Sequence, residues 1–113
     1  MPSLLIEYSG SLTEQVTPEI LMDKVFEGAK ASNSFPPEAI KIRMLPRPIF
    51  CLHGKCADFL HVSAHILSGR TEQQKIEISK AILEPLKTLD LRSVSVSVEI
   101  VDIHRASFVS FVY

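Results

Sequence analysis

The chain has 113 residues, 46% of them apolar, and a net charge of −1. That length sets a single domain, 1–113, and the near balance of charge removes any general pull toward nucleic acid or an anionic membrane. No apolar run approaches the ~20 residues of a membrane span, and the start has neither the basic region nor the long apolar stretch of a signal peptide, so a cytoplasmic protein is expected. Its two cysteines, Cys51 and Cys56 in IFCLHGKCADF, are too few for a metal clip or a disulfide framework. Reduced thiols are expected there, with a hairpin-closing disulfide as the alternative.

In chain order, Ser3 to Ser9 predicts a strand, with Leu4, Ile6 and Tyr8 on one face and Ser3, Leu5 and Glu7 on the other. SGSLTEQV predicts a loop. Thr17 is then an N-cap, with Pro18 at the first helical position and Glu19 beside the positive helix end. Leu21, Met22, Val25, Phe26 and Ala29 form an apolar stripe at helical spacing, and the helix should fade by SNSFPP. AIKIRML alternates: Ile40, Ile42 and Met44 on one face, Lys41, Arg43 and Leu45 on the other. PRPIFCLHGK is turn-rich, and its prolines forbid a central strand.

The order then repeats. ADFLHVSAHIL predicts a strand with Leu60, Val62, Ala64 and Ile66 on one face and Phe59, His61, Ser63 and His65 on the other. Thr71 to Gln74 is a capping box. The helix behind it carries Ile78, Ile82, Leu86 and Leu89 on one stripe, and Pro85 should kink or end it. SVSVSVEIV alternates strictly, with Val94, Val96, Val98 and Ile100 inward. The tail ASFVSFVY is apolar enough for a short extra strand. Corresponding elements are offset by ~55 residues, the mark of an internal repeat of βαβ units, with halves at about 1–52 and 57–113.

Two right-handed βαβ units give an α+β fold: a four-stranded mixed sheet with both helices on one face. The other face would carry Ser95, Ser97, His61, Ser63, Lys41 and Leu5. A mixed, semi-apolar bare face is usually covered, most simply by copies of the same chain in a closed ring.

Pro2 raises a chemical question. With Met1 removed it becomes a free secondary amine, able to carry a proton or act as a nucleophile. Met-Pro starts are common and mean nothing by themselves, so the rest of the chain has to supply an anion site. Lys41 and Arg43 lie early in the second strand, and Arg70 stands at a helix start, where backbone N–H groups favour an anion. Parallel pairing of the two units would leave Arg70 at the strand end away from Pro2; antiparallel pairing would bring it closer. Together these residues fit a dicarboxylate or keto-acid pocket; read singly, they are solvated surface charges. His61 and His65 are about 13 Å apart along a strand, too far to share a metal, so no metal site is expected. No phosphate loop or nucleophile elbow is present.

MPSLLIEYS, FPPEAIKIRM and DFLHVSAHILSGRTEQQK together resemble the tautomerase superfamily, and within it the 5-carboxymethyl-2-hydroxymuconate delta-isomerases. The resemblance spans nearly the whole chain, with the opening Pro and the Gly-Arg before the second helix as its most specific points. It implies a homotrimer with sheets facing inward and an isomerase that uses no metal or organic cofactor. It also implies that Pro2 is the general base, moving a proton within a small unsaturated keto or enol acid of aromatic-compound breakdown. Arg70 matches an anion-binding arginine of the family. The other family arginine falls on Lys41, and Arg43 matches a second basic position nearby. Lysine keeps the charge but lacks the planar fork that grips a carboxylate twice. The rival expectation is a protein of this fold that binds without turnover.

Overall fold

The computed structural model covers residues 1–113. Its strands are β1 (Pro2–Ser9), β2 (Lys41–Arg47), β3 (Asp58–Leu67) and β4 (Val94–Ile103), and its helices are α1 (Pro18–Ala31) and α2 (Glu72–Leu86). The sheet order is β2-β1-β3-β4. β1 runs parallel to β2 and β3 parallel to β4, while β1 and β3 pair antiparallel at the centre. Two βαβ units therefore lie side by side in opposite directions, the α+β arrangement read from the sequence.

Period-two alternation sorts the strand residues. Leu4, Ile6, Leu60, Val62, Ala64 and Ile66 are fully enclosed, packed with Leu21, Val25, Ile78 and Ile82 of the helices. The helices start where the caps dictate. Thr17 Oγ1 accepts from the Ile20 N–H at 3.3 Å, with Pro18 at the first turn. Thr71 and Gln74 make both bonds of the capping box. The helices meet closely at Gly28, where an added Cβ would stand 2.5 Å from the Ala81 carbonyl oxygen and 2.7 Å from Ile82 Cα. Only glycine allows that approach.

Several local expectations change. The stretch after β1 is a 3-10 turn, Gly10–Glu14, with Leu12 enclosed in the core. It is held because the Ser9 hydroxyl donates to the buried Asp58 carboxylate at 2.7 Å and the Ser11 hydroxyl donates to the same oxygen. β2 runs through Pro46 to Arg47, which an edge strand tolerates because its outer N–H groups pair with nothing. Pro85 lies in the last turn of α2, which ends at Leu86.

The tail is not a strand. Arg105–Ser107 forms a 3-10 turn, and the residues after it are irregular, with Val109, Phe111, Val112 and Tyr113 exposed. The β3·β4 ladder ends at Leu67 and Ile103, so no strand of this chain is in register to pair with the tail. Cys51 and Cys56 are both free thiols. No helix is long and apolar enough to cross a membrane.

Candidate active site

Antiparallel pairing of β1 with β3 sets Pro2 opposite Ile66. The chain leaves β3 one residue later and turns through Ser68 and Gly69 into Arg70, so Pro2 and Arg70 stand at the same end of the sheet. The side chain of Pro2 is fully enclosed, on the helix face with Leu4. With Met1 attached its nitrogen is an amide; with Met1 removed the same atom is a secondary amine.

Arg70 is half-buried and held from the first unit. Its Nη2 donates to the Ser34 carbonyl at 3.0 Å, and its guanidinium lies over the Phe35 ring, 4.8 Å from the centroid. The turn before it needs glycine, because Gly69 has a φ of +124°, where L side chains are strained. Arg105 fixes the same turn: its Nε donates to the Ser68 carbonyl at 2.9 Å, and its backbone N–H donates to the Ser68 hydroxyl at 3.2 Å. Neither arginine is within salt-bridge distance of a carboxylate. Sequence reasoning missed Arg105, Ser34 and Phe35. They reach the turn from distant segments, and no local pattern marks them.

Lys41 and Arg43 also lie near this end, since Lys41 is in register with Ser3. Strand alternation turns both to the bare sheet face, away from the helices and from the ring of Pro2. Both are exposed, and Arg43 Nη2 donates to the Ser3 hydroxyl at 3.2 Å. One chain thus brings Pro2 and Arg70 to one end of the sheet but does not gather Lys41, Arg43 and Arg70 around Pro2. None of its three cavities is lined by any of these four residues. The largest, about 440 Å³, lies at the other sheet end and carries Glu14 and Asp90 with no cation, which is unsuited to an anionic acid.

The centre of the bare face is a polar network. His61 Nδ1 is 2.7 Å from the Ser97 hydroxyl, and His61 Nε2 is 3.1 Å from Glu99 Oε1, which also accepts from Ser63 at 3.2 Å. A carboxylate only accepts, so Nε2 carries a proton in this contact. The bond from His61, then that from Ser63, holds the Glu99 carboxyl below the usual carboxylate range. No group of side chains is arranged to hold a metal ion.

A profile of the 5-carboxymethyl-2-hydroxymuconate isomerase family matches residues 2–109. The chain belongs to that family. Among solved structures it is similar to a 5-carboxymethyl-2-hydroxymuconate delta-isomerase at 16% identity, covering 98% of this chain and 88% of that one with a TM-score of 0.82. It is also similar to a 5-carboxymethyl-2-hydroxymuconate isomerase from Deinococcus radiodurans R1 at 24% identity, covering 97% and 88% with a TM-score of 0.75. A fused 4-OT symmetric trimer superposes over 94% of this chain and 99% of its own at 17% identity and a TM-score of 0.72. At these identities the structural likeness shows a common fold. No curated protein matches the chain at a significant level.

Proposed function

We propose that this isomerase-family member moves a proton within a small unsaturated keto or enol acid of the 5-carboxymethyl-2-hydroxymuconate type, with the amine of Pro2 as general base. The observation that carries the reading is the pairing of β1 with β3, which brings an enclosed N-terminal proline and an arginine without a carboxylate partner to one end of the sheet. A secondary amine is ordinarily protonated at pH 7. An enclosed site and nearby cations both disfavour that charge, and each unit of lowering corresponds to about 1.4 kcal/mol. The same cations hold the acid, so one arrangement readies the base and binds its substrate.

The neutral amine takes a proton from the enol hydroxyl or an acidic carbon. Negative charge spreads over the conjugated system as a dienolate. Arg70 holds a substrate carboxylate and steadies that charge. The ammonium of Pro2 then returns the proton to a different carbon, which completes the isomerisation with no change of redox state. The residues called on are proton carriers and cations, and no cofactor is assigned.

Lys41 and Arg43 enter the reading through assembly. They project from the bare face, which also carries Leu5, Ser63 and Val101, and in a homotrimer that face is covered by other copies of the chain. The cations left outside the single-chain site then border a site between subunits. We place the protein in the cytoplasm, in the breakdown of aromatic compounds.

The test is turnover of 5-carboxymethyl-2-hydroxymuconate by a chain whose intact mass shows Met1 removed. Pro2→Ala should lower kcat by about 10²–10⁴-fold, the usual weight of a positioned base. Arg70→Ala should lower kcat/KM by a similar order, with Arg70→Lys between. Unchanged rates in both variants would defeat the proposed roles. A wild-type chain that binds the acid without turning it over would favour a binding protein of this fold.

A further inference from the structure

The loop from β2 to β3 lies at the sheet end opposite Pro2, and the proposed isomerisation makes no use of it. Its residues Cys51 to Cys56, with Ser95 of β4, line a cavity of about 290 Å³. Within it Cys51 Sγ is 3.4 Å from His53 Nε2, a thiol–imidazole contact at hydrogen-bond distance. Cys51 is exposed and Cys56 is half-buried. The other ionisable lining group is Lys55, and no carboxylate lines the cavity. The loop is anchored on its β3 side: the Ser93 hydroxyl donates to the Lys55 carbonyl at 3.3 Å and accepts from the Ala57 N–H at 2.8 Å. On its β2 side Phe50 packs edge-on against Phe59, with ring centroids 5.4 Å apart. An accessible thiol beside a proton acceptor, in a cavity lined by one lysine and no acid, is a setting in which a cysteine becomes reactive.

We propose that Cys51 is a hydroperoxide-reactive thiol, activated by His53 and resolved by Cys56. His53 Nε2 takes the thiol proton. The thiolate attacks one peroxide oxygen, so that an S–O bond forms as the O–O bond breaks. The departing oxygen takes the proton from His53 and leaves as water or an alcohol. Cys51 is now a sulfenic acid, oxidised by two electrons, and the peroxide is reduced by two. The Cys56 thiolate, its proton lost to solvent, then attacks the Cys51 sulfur. An S–S bond forms, the S–O bond breaks, and the hydroxyl leaves as water on taking a proton. Four residues, Gly54 among them, separate the two cysteines, and both line the same cavity.

The test treats the reduced full chain with hydrogen peroxide and follows it by intact mass and peptide mapping. The wild type should lose two hydrogens and map as an intramolecular Cys51–Cys56 disulfide. Cys56→Ser should stop at a sulfenic acid on Cys51 that dimedone traps. His53→Ala should slow oxidation of Cys51 about tenfold at pH 7, and alkylation of Cys51 should be about tenfold faster than that of Cys56 in the wild type. Equal alkylation of the two thiols, an unchanged rate in His53→Ala, or a disulfide only between chains would overturn the proposal. Because these readouts follow thiol chemistry and not turnover, they succeed or fail independently of the isomerase reading.

Discussion

On the helix side of the sheet Leu4, Ile6, Val62 and Ala64 are fully enclosed, while their chain neighbours Leu5, Glu7, His61 and His65 on the other side are half-buried. The same strands make both faces, and a step of one residue moves a side chain from one to the other. The helix face is apolar through most of each strand. Its centre on β1 and β3 is fully enclosed within one chain, while Ile42, Met44 and the valines of β4 are half-buried. The bare face mixes Leu5 and Val101 with a hydrogen-bonded His61–Glu99–Ser63 network and the cations Lys41 and Arg43. One face therefore holds the core, and the other is mixed in character and more open to solvent. Pro2 lies on the first face and Lys41 on the second, so in the proposed trimer it is the second face that other copies would cover.

The contrast can be broken first from the core side. Ile6→Ala removes an enclosed side chain and should cost about 2–5 kcal/mol, read as a lower urea midpoint with an unchanged slope. A loss under about 0.5 kcal/mol, the range of neutral surface changes, would mean that the helix face is not the organising core. Ser63→Arg probes the other face. It should leave the circular dichroism of the fold intact while sedimentation shows the assembly separated into single chains, because a much larger side chain would stand where copies have to meet. An assembly of unchanged mass would place the interface elsewhere.

The smallest effect is expected within the polar network. The Glu99 carboxyl is held below its usual range in the folded chain, chiefly by His61 and then by Ser63. A lowered folded value means that the carboxylate stabilises the fold above the unfolded value. That contribution is lost as pH falls through the carboxylate range toward the folded value. Glu99→Gln should therefore lower stability slightly at neutral pH and flatten the acid limb, with the two chains converging below the carboxylate range. An identical acid limb would show that the network contributes nothing to folding.

Much of this architecture was legible in the sequence because it rests on local rules. Alternation in AIKIRML and SVSVSVEIV placed each side chain on its face, and Thr17-Pro18 and Thr71-Gln74 marked the helix starts. Pro2 and Arg70 were legible as candidates because the opening proline and the Gly-Arg before the second helix are the most specific points of the family resemblance. What escaped depends on distant segments meeting. The clamp of Arg105 on Ser68, the seat of Arg70 on Ser34 and Phe35, and the pinning of the 3-10 turn by Asp58 each join residues more than 30 positions apart. The apolar tail misled for the opposite reason. Its composition favours a strand, but a strand forms only beside a partner, and β4 ends its ladder before the tail begins.

The central claim is tested most directly by one comparison of turnover with 5-carboxymethyl-2-hydroxymuconate, between a chain verified by mass to begin at Pro2 and the same chain with Met1 retained. The second has the same cations but an amide in place of the basic nitrogen, and its kcat should fall by about 10²–10⁴-fold. Equal rates for the two chains would contradict the account and move the base to another residue.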